Sequence, residues 1–136
     1  MPEAPHDVAS LNAWMAAQCL TSPRLADLLG VSLYTVMGWR KGERMRPIVQ
    51  RALLDVARAR TLAEPWAALT REGGPEMLTE WRIDRGLSVR GLARALDVAP
   101  STVNPTWLRR PLHVYEARAV RQLDRELRRA QPKPRA

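Results

Sequence analysis

Residues 22–41 read SPRLADLLGVSLYTVMGWRK, and the order of small, turning and apolar residues in this stretch decides the fold. Thr21 offers a hydroxyl to cap a helix reaching Leu29, and Pro23 is tolerated in the first turn of that helix. Gly30 stands where the helix must end in a left-handed residue. Ser32 then caps a further helix to about Lys41, and Gly42 stops it. Ala26 is the small residue needed where two helices cross closely. Val31, Val36 and Trp39 fall at the apolar positions that pack the later helix on the earlier ones. The stretch is two short helices joined by a sharp turn.

Most of this pattern occurs twice. Residues 11–36 align without a gap on 78–103, at a constant shift of 67, with nine identities in 26 positions. Leu11, Trp14, Leu20, Leu25, Ala26, Leu29, Val31, Thr35 and Val36 meet Leu78, Trp81, Leu87, Leu92, Ala93, Leu96, Val98, Thr102 and Val103. The shared positions are those a helical core uses, and the copies differ where solvent or a ligand would look. The chain is expected to be one small helical unit used twice.

Further out, Val8, Leu11, Trp14, Met15 and Cys19 keep a helical rhythm behind Asp7 as N-cap. Pro47 opens a helix over 47–60 that buries Ile48, Leu53, Leu54 and Val56. Residues 61–75, TLAEPWAALTREGGP, form a connector in which Pro65 starts a short helix carrying Trp66. The second copy predicts helices near 75–85, 88–96, 100–104 and 111–129. In it Asp97 replaces the turn glycine, an exchange tolerated because Asp visits the left-handed region. Pro105 should kink or stop the third of these helices near Asn104. Thr106 takes the place of Trp39, leaving that helix less to anchor it, with Trp107 displaced by one. The tail QPKPRA is expected to fray. No sustained alternation of apolar and polar residues predicts a strand.

The chain of 136 residues carries 22 Lys and Arg against 14 Asp and Glu, a formal charge of +8. The excess is uneven: residues 1–66 hold 8 basic and 6 acidic groups, and residues 75–136 hold 13 and 7. Such a balance suggests an anionic partner, nucleic acid ahead of a membrane surface. The single cysteine, Cys19, cannot form an internal disulfide and fits a reducing cytoplasm. No apolar run approaches the roughly 18 residues of a membrane span, and no charged-then-apolar leader precedes the first helix. Neither a membrane span nor signal-peptide export is expected.

Enzyme chemistry has no foothold in the sequence. His6 and His113 lack Cys or His partners at metal spacing, so neither a metal nor a cofactor is expected. Ser and Asp fall at helix caps rather than in a nucleophile arrangement, and no glycine-rich phosphate loop or small-molecule site is evident. Of the five tryptophans, Trp14, Trp39 and Trp81 fall at helix-packing positions within the repeats.

With its Ala26–Gly30–Val36–Trp39 spacing, the 22–41 segment resembles the helix-turn-helix of the Cro/CI (XRE) family of DNA-binding domains. The resemblance covers about 11–58 and, in its first three helices, 78–104. It implies an all-α chain of two tandem lambda-repressor-like helix-turn-helix domains, at 1–62 and 75–130, with a linker at 63–74 and a basic tail at 131–136. In such domains the third helix enters the major groove. Carried over by position, Leu33, Tyr34, Met37 and Gly38 would face bases, and Ser22, Thr35, Arg40, Lys41 and Arg44 would lie near phosphates. In the second copy Pro100, Ser101, Thr102, Asn104 and Thr106 would touch DNA, with Arg109 and Arg110 beside them. Residues 33–38 contain no Arg, Asn or Gln, so thymine-methyl contacts and the tyrosine hydroxyl would have to substitute for the usual bidentate pairs.

The last predicted helix alternates Leu112, Tyr115, Ala119, Leu123 and Leu127 with Arg118, Arg121, Arg125, Arg128 and Arg129. It could pack on a twin, giving a homodimer, while its arginines face phosphate, or simply present a solvated face. The function implied is a transcriptional regulator binding duplex DNA, a repressor rather than an activator. The rival is a helix-turn-helix protein-interaction module such as an antitoxin, antirepressor or antiactivator.

Overall fold

The computed structural model describes Pro5 and residues 7–130; residues 1–4, His6 and the tail 131–136 lie outside the described residues. Among the described residues the protein is all helical and contains no strand. The helices are α1 (Val8–Ala17), α2 (Ser22–Leu29), α3 (Leu33–Arg40), α4 (Pro47–Arg58), α5 (Gly74–Asp84), α6 (Val89–Leu96) and α7 (Val114–Ala130). A short 3-10 helix, Trp66–Thr70, precedes α5, and a kinked stretch, Thr102–Trp107, separates α6 from α7. None is long and apolar enough to cross a membrane.

Local chemistry sets the helix ends. Asp7 Oδ1 accepts from Ser10 N at 2.8 Å, and the Asp7 amide donates to Ser10 Oγ at 3.1 Å, a reciprocal cap on α1. Thr21 and Ser32 accept from the amides of Arg24 and Thr35 and so open α2 and α3. Gly30 ends α2 at φ 67°, and a Cβ there would lie 2.7 Å from Val114 Cβ. The turn therefore needs glycine twice over, for its backbone and for the approach of α7. Asp97 takes the matching left-handed position after α6, at φ 55°.

The break before Pro105 falls where the sequence places it: Asn104 is extended, at φ −124° and ψ 116°. The expected loss of an anchor at Thr106 needs correction. Trp107 is fully buried and its Nε1 donates to Glu116 Oε2 at 2.9 Å. The one-residue slip falls at the Asn104 kink, and Trp107 is buried as Trp39 is in the first copy.

One continuous apolar cluster runs through both copies, from Leu11, Leu25, Leu29, Val36 and Leu53 to Leu78, Leu92, Leu96, Val103 and Trp107. The connector joins it: Leu69 is buried, its carbonyl accepts from Leu112 N at 2.8 Å, and Trp66 meets Trp81 edge to face at 6.1 Å.

The pairing of α4 with α7 is largely polar. Asp55 is 0% exposed and takes three guanidinium groups from α7. Arg121 grips it in a fork, Nε to Oδ1 and Nη2 to Oδ2, both at 2.7 Å. Arg118 Nη1 donates to Oδ2 at 2.9 Å and Arg125 Nη1 to Oδ1 at 2.6 Å. The remaining donors go to carbonyls left open at helix ends: Arg118 to Leu28, Ala59 and Arg60, and Arg121 to Thr61. Burial pulls the Arg118 guanidinium below its ordinary pKa, with Asp55 opposing the shift.

These contacts correct the expectation that the α7 arginines face phosphate for Arg118, Arg121 and Arg125, while Arg128 and Arg129 remain exposed. Arg118 and Arg121 are buried, Arg125 is tied to Asp55, and Arg128 Nε donates to Asp124 Oδ2 at 2.8 Å. Of the stripe expected to receive a twin, Leu112, Ala119 and Leu123 are buried within this chain.

The contacts are also reciprocal. Arg118 Nε donates to the Leu28 carbonyl at 2.6 Å, and Arg51 Nη2 donates to the Ala95 carbonyl at 3.1 Å. Residues 28 and 95 are repeat equivalents, and 51 and 118 keep the same shift of 67 because α4 starts at Pro47 and α7 at Val114. Likewise Arg118 reaches the carbonyl of Ala59 while Arg51 reaches the carboxylate of Glu126, the equivalent of 59. Gly30 abuts Val114, and Pro47 shares a cleft with Asp97. The two copies thus meet through the same surface on each, as subunits of a two-fold dimer do.

Replacing Asp55 by Asn should cost about 3–5 kcal/mol of unfolding free energy, because buried guanidinium groups lose their counter-charge. Urea denaturation of parent and variant measures it, and a loss below about 1 kcal/mol would refute the assignment. A second expectation concerns acid. Asp124 accepts from Trp81 Nε1, Arg85 Nε and Arg128 Nε at 2.7–2.9 Å. Burial alone would raise its carboxyl, but those donors hold it below the ordinary value of 3.8. A depressed folded pKa gives stability that is fully present above the unfolded value and is lost as pH falls through the folded one. The difference in Tm between parent and Asp124→Asn should therefore be constant from neutral pH to about pH 5 and shrink towards about pH 2.

Candidate functional site

Helix α3 is fixed from beneath and open above. Val36 and Trp39 are buried, and Ser32 caps the first turn through Thr35 N at 3.1 Å. Leu33, Tyr34 and Met37 point away from that anchor and are 41%, 85% and 37% exposed. Among the described residues, Ile83 is the remaining large apolar side chain with comparable exposure, so the apolar surface concentrates on α3.

The neighbouring site residues divide into braced and open ones. Arg40 Nε donates to Asn12 Oδ1 at 2.6 Å and Nη1 to Ser22 Oγ at 2.8 Å, tying the end of α3 to α1 and α2. The pair placed near phosphates, Ser22 and Arg40, is thus brought together, with Arg40 bracing the unit. Lys41 and Arg44 are exposed. Thr35 is half-buried and its hydroxyl lies 2.9 Å from Ser32 Oγ. Gly38 is half-buried beneath the Glu43 carboxylate, which a Cβ at 38 would strike. The open face of α3 therefore ends at Met37, with an acidic group beyond it.

In the second copy Pro100, Ser101 and Asn104 are exposed and Thr102 is half-buried. Thr106 is half-buried and donates to the Ser101 carbonyl at 3.3 Å, across the kink. Arg109 is exposed. Arg110 is turned inward, Nη1 to the Pro111 carbonyl at 2.7 Å and to Glu116 Oε1 at 3.1 Å. Glu116 also accepts from His113 N at 2.8 Å, so it caps α7 while holding Trp107 and Arg110. His113 stacks on Tyr115 with centroids 5.9 Å apart.

At the seam the sequence reading lacks Arg46 and takes Tyr115 only as part of the last helix's apolar stripe. Arg46 Nη2 donates to Tyr115 Oη at 2.8 Å, with the guanidinium 5.7 Å from the ring centroid. Arg46 lines one cleft with Thr35, Arg44 and Tyr115, and another with Ile48, Ala99 and Thr102. The first turns of both third helices therefore open towards one shared cation. The available signal was that Arg46 precedes Pro47, where a capping Ser, Thr, Asp or Asn is the ordinary choice.

Comparison with known proteins finds no matching family model, no matching curated protein and no matching solved structure.

Because Tyr34 is so exposed, Tyr34→Ala should move the unfolding free energy by no more than about 0.5 kcal/mol. Trp107→Ala should cost about 3–5 kcal/mol. Thermal or urea unfolding of the two variants checks the contrast, and a large loss from Tyr34→Ala would make it a packing residue.

Proposed function

We propose that the chain is a sequence-specific, duplex-DNA-binding transcriptional regulator acting as a repressor, built from two tandem helix-turn-helix units of the Cro/CI (XRE) kind. The observation that carries this reading is the outward face of α3. A capped helix anchored by Val36 and Trp39 holds Leu33, Tyr34 and Met37 in the open, with Lys41 and Arg44 beside them. A rigid helix with an apolar leading face can meet thymine methyl groups in a major groove, while the Tyr34 hydroxyl offers one hydrogen bond. The cations set register on the phosphates without reading sequence. A bound chain would regulate by occluding a promoter.

Burial of Arg118 and Arg121 limits how strongly the phosphates are held. Lys41, Arg44 and Arg46 beside α3 and Arg109 in the second copy are exposed cations. Neutralising four phosphates gives a slope of log affinity on log salt of about −4. Anisotropy titrations on a selected duplex should return a slope near that value. Tyr34→Ala should lower discrimination between selected and random duplex by about 1–3 kcal/mol.

One observation favours a second reading. The exposed α3 face is apolar and holds no Arg, Asn or Gln at 33–38, as a protein-binding surface would. A protein-interaction module predicts affinity for DNA that is absent or insensitive to Tyr34, so the same titrations separate the two.

A further inference from the structure

The reciprocal meeting of the two copies has a consequence for what the chain recognises. A homodimer presents two equal reading surfaces related by a two-fold axis, and its site carries the same symmetry. Here both halves are in one polypeptide. Arg51 with the Ala95 carbonyl mirrors Arg118 with the Leu28 carbonyl, and Pro47 beside Asp97 mirrors Val114 against Gly30. The clefts mirror each other as well. Val31, Thr35 and Val49 face Tyr115 in one, and their equivalents Val98, Thr102 and Glu116 face Ile48, the equivalent of Tyr115, in the other. Arg46 lies on both. The first turns of the two third helices therefore border neighbouring clefts that share Arg46.

The halves are not equal. α3 carries exposed Leu33, Tyr34 and Met37, whereas its counterpart ends at Asn104 and offers Pro100, Ser101 and Asn104. Nor are the pairing surfaces interchangeable. Asp55 of α4 answers Arg118, Arg121 and Arg125, and its equivalent on α7 is the uncharged Gln122. Two α7 helices paired with each other would bury their arginines against Gln122 without a carboxylate. The charges favour α4 with α7 of one chain.

We propose that a single chain occupies a bipartite duplex site, two unequal half-sites in inverted orientation on one face of the DNA, with α3 on one and residues 100–104 on the other. The proposal rests on the DNA-binding reading above. Two readers on one face of a duplex require half-site centres one helical turn, about 10–10.5 base pairs, or a multiple of it apart.

The test is selection from a random duplex library with the full chain, followed by mass measurement of the complex. The expected result is an enriched motif with two inverted, dissimilar halves, bound by one chain per duplex. Tyr34→Ala with Met37→Ala should erase sequence preference in one half. Ser101→Ala with Asn104→Ala should erase it in the other, each pair weakening binding about tenfold. All four side chains are exposed, and matching thermal unfolding verifies that the variants fold. A single contiguous motif, halves in the same direction, or two chains per duplex would overturn the bipartite site while leaving DNA binding intact. Enrichment of no sequence would overturn both.

Discussion

Asp55 and the three arginines that surround it hold the two copies in one body. A carboxylate with no exposure to water costs several kcal/mol to desolvate, and so does each guanidinium group brought to it. The cluster tolerates this because the surplus positive charge does not end on Asp55. It spreads to the carbonyls of Leu28, Ala59, Arg60 and Thr61, which lie at or just beyond the C-terminal ends of α2 and α4. Those ends carry the negative pole of each helix and oxygen atoms with no partner inside the helix. Helix α7 supplies what α2 and α4 lack, and they supply what its arginines need. Neither half is electrostatically complete alone.

The same helix serves the second half through its acids. Glu116 gathers Trp107, Arg110 and the amide of His113, while Asp124 gathers Trp81, Arg85 and Arg128. α7 thus reaches the first copy through the guanidinium groups of Arg118, Arg121 and Arg125 and the carboxylate of Glu126, and the second through Glu116 and Asp124. Its alternation of charge, read along the chain, is a sorting of partners around one helix.

Much of the fold was legible because its determinants are local. Asp7, Thr21 and Ser32 act on amides three residues away, Gly30 on its own backbone and Pro105 on the residue before it. The anchors of α3, Val36 and Trp39, followed from spacing alone. What escaped lies in contacts between distant residues. An arginine at 118 looks like any solvated helical cation until Asp55, 63 residues earlier, is placed against it. A trace was present: Asp55 interrupts an apolar stripe of Ala52, Leu53 and Val56, and Arg118, Arg121 and Arg125 share one helical face. A strict register misplaces Trp107 because it cannot show a local one-residue shift at a kink that is undone before α7. In the candidate site the outward direction of Leu33, Tyr34 and Met37 followed from the helix period. The Glu43 cover on Gly38 and the Arg46–Tyr115 seam needed coordinates.

The difference between Asp55 and Gln122 also bears on how such a molecule changes over generations. In an assembly of identical subunits every substitution appears twice, so both reading surfaces must drift together. Here each surface is encoded once, and the lock between the halves lies on α4 and α7, away from either. A substitution at Tyr34 alters one surface and leaves Ser101 and Asn104 as they were. The repeat thus lets α3 and residues 100–104 change independently while α4 and α7 keep the halves together.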